Sequence, residues 1–305
     1  MTAASPDVVV IGDALLDVTA RPTTPARAGE DVPAEVSIAC GGQGANLAVR
    51  LARRGASVEL VCALGDDPGG SLVRDALGRE GVALSAVPTD ATGTVVIVLD
   101  QEGERTMLSQ RAPFAAAAAP AAGDAVGWMV VSGYLLLEAE AGDLATALAE
   151  SPTRRVLVGC AVPGVMADEW MRAAAAFRPD LVVLNRDEAR TLLPGPPAFD
   201  ELPSRLGERL RSGVVVTDPG GAAAVLNGLS ATVRARRGRS VTDSTGAGDA
   251  FAAAMVDALR RVPWSPSQPA LETALRAATE LATAVAHSPG AQGRVAGERE
   301  GTLRQ

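Results

Sequence analysis

Asp243-Ser-Thr-Gly-Ala-Gly-Asp249-Ala-Phe251 is the stretch of this sequence best suited to chemistry. Gly246, Ala247 and Gly248 have little or no side chain and open an Ala-rich helical run. They predict a helix start whose backbone N–H groups are unpaired and can be approached closely. The helix dipole adds partial positive charge at the same place. Asp249 falls in the first turn. Amides and dipole are expected to hold its carboxylate ionised, ready to accept a hydroxyl proton, while the amides hold charge on a transferring phosphoryl group. A plain capping turn uses the same residue types. A dinucleotide fingerprint is excluded, because Phe251 stands where a third glycine would be.

Other polar groups fall at similar junctions. Asp13 and Asp17 follow the apolar run Val8–Ile11. A carboxylate just past a strand end can accept two hydroxyls of a polyol; a solvated turn aspartate is the other reading. Gly41 and Gly42 allow close backbone approach, Gly44 suits helix entry, and the Asn46 amide offers a donor and an acceptor. Asn185 and Glu188, three apart at a strand-to-helix junction, share one face. They also match an N-cap with its capping-box glutamate, and both roles can coexist. Arg105 and Arg111 flank a predicted hairpin, either paired or solvated, or placed to meet an acidic substrate.

Absences narrow the chemistry. All 28 basic residues are arginine, so a Walker A loop and a protein Schiff base are impossible. The single histidine, His287, rules out a pair of histidines on zinc and leaves a histidine-based triad only that residue. Cys40, Cys62 and Cys160 are widely spaced, which argues against a disulfide framework or structural zinc. A net charge of −8, with no basic cluster beyond Arg234–Arg239, makes nucleic acid a poor partner. No apolar run is long enough to cross a bilayer and no signal-like start is seen, so the cytoplasm is the expected compartment.

The elements that must position these groups alternate. Strands are predicted at Asp7–Gly12, Ser57–Leu64, Trp128–Ser132, Arg155–Gly159, Leu181–Leu184 and Val214–Thr217. Between and after them lie helical patterns at Gln43–Arg54, Gly70–Glu80, Asp143–Glu150, Asp168–Phe177, Asp187–Leu193, Ala198–Leu210, Ala247–Arg260 and Leu271–Ala286, with Ala115–Ala122 a linker or short helix. This is the rhythm of an α/β layered sheet in one domain spanning residues 1–305. Two segments break it: Thr19–Ala39, and a hairpin of Val95–Leu99 with Arg105–Ser109. They are expected to form a small β-sheet flap, covering about residues 14–40 and 92–111.

Two motifs together resemble a known family. Asp243–Phe251 is similar to the second signature of the PfkB (ribokinase-like) carbohydrate kinases. Cys40-Gly-Gly-Gln-Gly-Ala-Asn46 through Gly55, followed by Leu64-Gly-Asp-Asp-Pro-Gly69, resembles the first. The resemblance runs from Val9 to about Gln292. It implies a Rossmann-like three-layer α/β/α sandwich with a small β-sheet lid. It implies a kinase that uses ATP and Mg2+ to phosphorylate a hydroxyl of a sugar or sugar-like molecule, with Asp249 as base and Gly246–Gly248 as anion hole. By resemblance Asp17, Asp13, Gly41, Gly42 and Asn46 hold the acceptor. Asn185 and Glu188 position Mg2+ through water, and Thr217 and Gly220 contact ATP. Ser288-Pro-Gly290-Ala-Gln-Gly293 with Asp243 would hold K+, unless the loop is only a helix cap. The family also implies a homodimer through the lid. Three departures stand out: Gln43 where ribokinases commonly have lysine, Pro219 in the nucleotide turn, and Cys160 at a strand end often polar in relatives. Two rival functions are a nucleoside kinase, with Phe114 and Tyr134 as walls, and a non-catalytic ligand-binding regulator on the same fold.

Overall fold

The computed structural model describes residues 5–101, 104–116, 127–195, 197–235, 245–288, 290–296 and 298–299. A nine-stranded sheet runs in the order β13-β12-β11-β10-β9-β8-β1-β4-β5. Its strands are β1 (Val8–Ile11), β4 (Val58–Gly65), β5 (Ala83–Thr89), β8 (Trp128–Ser132), β9 (Arg154–Val158), β10 (Leu181–Asn185), β11 (Gly213–Asp218), β12 (Gly221–Leu226) and β13 (Leu229–Arg234). β1, β4, β5, β8, β9, β10 and β11 are parallel, and β12 and β13 close one edge as antiparallel strands.

β1 is buried on both faces, so it reads as four apolar residues in a row. Val8 and Val10 face one core, with Leu47, Leu51, Phe251, Met255 and Leu275. Val9 and Ile11 face the other, with Leu144, Trp170, Phe177 and Leu206. Helices α1 (Gln43–Arg53), α7 (Ala247–Leu259) and α8 (Gln268–Ala286) supply the first layer. The second comes from α3 (Ala141–Ala149), α4 (Ala167–Phe177) and α6 (Leu202–Leu210). Helix α2 (Pro68–Arg79) adds Val73 and Leu77 to the first, and α5 (Arg186–Thr191) adds Ala189 to the second. The result is the expected three-layer sandwich.

From β1 the chain proceeds to β4 and β5 on one side, then returns to β8 and onward on the other. This reversal between β1 and β8 is a topological switch point, where a crevice opens beyond the carboxyl ends of the strands.

A second sheet has the order β3-β2-β6-β7, with β2 (Leu15–Pro22), β3 (Ala34–Gly41), β6 (Thr94–Leu99) and β7 (Arg105–Gln110). Its faces differ. Ile38, Val18, Val96 and Leu108 form a row across all four strands on one face. Ile38 and Leu108 there are 56% and 62% exposed. The opposite face carries Asp17 beside Val95, and Val95 and Ile97 are buried with Leu15.

The sequence reading missed β5, β12 and β13. Ala222, Ala223 and Ala224 favour no strand by propensity; their antiparallel partners in β11 and β13 decide it. The helix expected from Ala198 begins later: Phe199–Glu201 form a 3-10 turn, and α6 starts at Leu202 with Pro203 in its first turn. All three cysteines are buried and free.

Candidate active site

The crevice at the β1–β8 switch is built by close backbone approach. Gly12 follows β1, and Gly44 lies against it at the start of α1: a Cβ on Gly44 would fall 2.7 Å from the Gly12 carbonyl carbon. Gly42 caps α1 at φ 95°, and its Cβ would lie 2.6 Å from the Asp13 carbonyl oxygen. The Asp17 carboxylate lies directly over Gly41 and would overlap any Cβ placed there. All three glycines therefore let the chain pack on itself around Asp13 and Asp17.

Asp13 is held from three sides. Arg111 donates to Oδ2, and the Ser132 hydroxyl at the end of β8, which shares its one hydrogen with Gln43, lies 3.3 Å from Oδ1. The Gly44 amide reaches Oδ1 at 3.4 Å. The Arg111 guanidinium lies over the Tyr134 ring, 3.7 Å from its centroid. Gln43 bridges the same corner, accepting from Ser132 Oγ at 2.7 Å and donating to the Gly159 carbonyl at 2.7 Å.

Asp249 stands in the first turn of α7, with Gly246 as its N-cap at φ 74°. Asn46 Nδ2 donates to Asp249 Oδ2 at 2.8 Å, and Gln292 Nε2 donates to Asn46 Oδ1 at 3.1 Å. The buried Asn46 amide is thus engaged at both ends. Burial pushes the Asp249 carboxyl up to about 7; the Asn46 hydrogen bond works against the shift, and the charges of Asp13 and Glu188 add to it. This runs against the expectation of a readily ionised carboxylate: desolvation and the neighbouring carboxylates favour the protonated form. Asp17 is raised to about 6, first by burial and then by Asp13, with Arg111 opposing.

Asn185 and Glu188 form a complete capping box on α5. Asn185 Oδ1 accepts from the Asp187 and Glu188 amides at 2.9 Å each, and Glu188 Oε2 accepts from the Asn185 amide at 2.8 Å. Glu188 also backs onto Gly159, where a Cβ would fall 2.7 Å from Oε2, and burial raises its carboxyl. Thr217 pairs with Asn185 across β10 and β11. Pro219 and Gly220 form the turn of the β11–β12 hairpin, where Asp218 Oδ1 accepts from the Gly220 amide at 2.7 Å. The glycine this turn requires is Gly221, at φ 144°, where a Cβ would overlap the Val233 carbonyl oxygen.

Two segments close the crevice. Arg105 on β7 donates to Thr245 Oγ1, so the small sheet reaches the residue before Gly246. The C-terminal segment lies on α1, where Arg50 donates to the Ala291 carbonyl at 2.8 Å and Arg53 to the Gln292 carbonyl at 2.8 Å. Arg50 also pairs with Glu298 at 2.7 Å, with both side chains buried. Asp243, the expected monovalent-cation residue, lies outside the described residues. Sequence reasoning passed over Ser132, and Glu138, which lines one cavity with Asp13, Arg111 and Tyr134, because strand order, which places β8 beside β1, leaves no mark in a single sequence.

A cleft of about 930 Å³ opens elsewhere, among Arg155, Asp180, Arg209, Gly213 and Trp264 at the amino ends of β9–β11. It shares no residue with the crevice.

The family model described as pfkB family carbohydrate kinase matches residues 5–296. The chain belongs to the PfkB family of carbohydrate kinases. This PfkB kinase, a phosphotransferase, is 30% identical to a fructokinase of Klebsiella pneumoniae over 241 residues, 72% of this chain and 76% of the relative. Its fold matches the ribokinase of Thermotoga maritima with a TM-score of 0.75 at 17% identity, covering 95% and 96% of the two chains. A fructokinase from Xylella fastidiosa, solved with bound ATP, matches with a TM-score of 0.75 at 21% identity over 94% of each chain. At these identities the structural likeness speaks for the fold alone.

Proposed function

We propose that this PfkB kinase transfers the γ-phosphoryl group of ATP to a hydroxyl of a small sugar, with Asp249 as general base. The observation that carries the reading is the position of Asp249: a carboxylate titrating near 7, in the first turn of a helix whose amino end is formed by Gly246, Ala247 and Gly248. The acceptor oxygen bonds to the γ-phosphorus, the bridging oxygen leaves with ADP and the bond's electron pair, and the hydroxyl proton passes to Asp249. The amides of Gly246–Gly248 meet the charge on the phosphoryl oxygens. ATP as donor is supported by the bound nucleotide of the Xylella fructokinase.

Mg2+, when carried by the nucleotide, neutralises phosphate charge. Among the described residues no three His, Cys, Asp or Glu side chains gather to hold a metal directly. Glu188, half-buried and fixed by its capping box beside Asn185, suits a water-mediated partner of that ion. The carbonyls of Ala291 and Gln292 already have arginine partners, which weighs against K+ on that loop.

Asp17, Asp13 and the backbone at Gly41 and Gly42 orient the acceptor, and Asn46 holds the base. Thr217, paired with Asn185 across β10 and β11, and Gly220 in the turn that follows β11 are assigned to the nucleotide. The small sheet acts as a lid that excludes water. A nucleoside acceptor has less support, because Tyr134 already carries Arg111 on its ring face. A second copy of the chain covers the exposed Ile38–Leu108 row of the lid, giving a homodimer.

The deciding assay measures ADP release with Mg2+ over a panel of sugars, sugar acids and nucleosides, with Asp249→Asn as control. Acceptor-dependent release that disappears in the variant supports the reading. Near wild-type turnover by the variant removes Asp249 as base.

A further inference from the structure

Asp13, Arg111 and Tyr134 close one corner of the crevice, and the carboxylates around them outnumber the cations. Asp13 is 9% exposed at its side chain and Arg111 25%. Asp17 stands near Asp13 and Arg111, and Glu138 receives the Phe114 amide at 2.9 Å in the same corner. One edge of the Arg111 guanidinium is committed to Asp13, and its face lies on Tyr134. Arg105, the other arginine flanking the hairpin, reaches Thr245 instead.

We propose that this corner selects the acceptor by charge: neutral polyhydroxy sugars are taken, and sugars bearing a carboxylate or a phosphate are refused. The inference rests on the kinase reading above and narrows its acceptor class. A hydroxyl can donate to Asp13 and accept from Arg111 without separating them. An anionic group has no such option. To take the guanidinium edge that Asp13 holds it must displace Asp13, which leaves that carboxylate in a crevice already holding Asp17, Glu138 and Asp249. If it leaves the pair intact, it meets a guanidinium already balanced by Asp13 and faces the remaining carboxylates with no further cation paired to them among the described residues of this corner. The corner therefore works by repulsion as well as attraction. Tyr134 is a positioning residue here, since its ring fixes the plane of the guanidinium.

The test compares matched acceptors of equal chain length: an aldose or ketose, its aldonate, and its terminal phosphate ester. The readout is kcat/KM for wild type, Asp13→Asn and Arg111→Gln, each first checked for an unchanged melting profile. Wild type is expected to favour the neutral member by about 100-fold or more. Asp13→Asn, nearly isosteric, releases Arg111 and narrows that ratio by about tenfold or more, whereas Arg111→Gln does not narrow it. Equal or better use of the aldonate or phosphate ester by wild type overturns the proposal, as does a ratio unmoved by Asp13→Asn. Calorimetric titration of the same pairs with a non-hydrolysable ATP analogue present reads the preference even where turnover is slow. Failure to bind the neutral member more tightly than the anion also overturns it. Loss of the general-base reading shows differently, as turnover by Asp249→Asn whatever the acceptor's charge.

Discussion

Asn46 on α1 donates to Asp249 on α7 at 2.8 Å, across 203 residues of sequence. The two signatures of the chain meet in that hydrogen bond. Behind it, Gln292 completes a relay from the C-terminal segment to the carboxylate proposed as base.

Replacing Asp249 by asparagine is expected to lower kcat by about 1,000-fold or more while ATP affinity changes little. Steady-state ADP release together with calorimetric ATP binding checks both halves. Equal losses in rate and nucleotide affinity would point to a binding role.

The same variant has a thermal signature. Folded Asp249 keeps its proton up to about pH 7, whereas its ordinary value is 3.8. Between these values the folded state binds more protons than the unfolded, so this group's contribution to stability falls as pH rises through the window. Asparagine does not titrate. The nucleotide-free Asp249→Asn protein should melt higher than wild type at pH 8, and the gain should vanish toward pH 4. A melting difference that ignores pH would remove the elevated carboxyl.

Loss of the Asn46 amide in Asn46→Ala removes the hydrogen bond that opposes the rise of the Asp249 carboxyl. The acidic limb of the kcat/KM profile should move to higher pH. At pH 7 the rate should fall about tenfold or more, with part of it recovered at pH 9. An unmoved limb would make Asn46 a purely structural residue.

Gly246→Ala should cost about 1–3 kcal/mol, because the residue sits in the left-handed region. A Cβ there would also meet the Ala291 Cα at 2.8 Å. Denaturant titration reads the loss, and a silent substitution would mean the C-terminal segment yields easily.

Breaking the buried Arg50–Glu298 pair by Arg50→Ala should destabilise by about 3 kcal/mol, since Glu298 stays buried and is left to Arg53 at 3.6 Å. The double variant Arg50→Met/Glu298→Leu should recover part of that loss. A charged residue at Ile38, as in Ile38→Asp, should shift the proposed dimer to monomer by light scattering. A wild type that is monomeric at all concentrations would retire the dimer.

Much of this kinase was legible from local pattern. The strand–helix alternation announced the layered sheet, because apolar periodicity follows directly from which faces are buried. Gly246–Gly248 with Asp249 announced a helix start, and α7 does begin there with Gly246 as its N-cap, because small residues at a left-handed turn mark such a boundary. The Asn185–Glu188 capping box was equally readable, since all its atoms lie within four residues. Tertiary structure alone decided the rest. It set Asp249 near 7 instead of at or below the ordinary range, because desolvation is a property of surroundings brought in from distant parts of the chain. It turned Gly41, Gly42 and Gly44 toward the chain's own Asp13, Asp17 and Gly12, and made strands of alanines at Ala222–Ala224 through their neighbours. It also joined Arg111 to Asp13, 98 positions away, a pairing that depends on strand order and that no local spacing records.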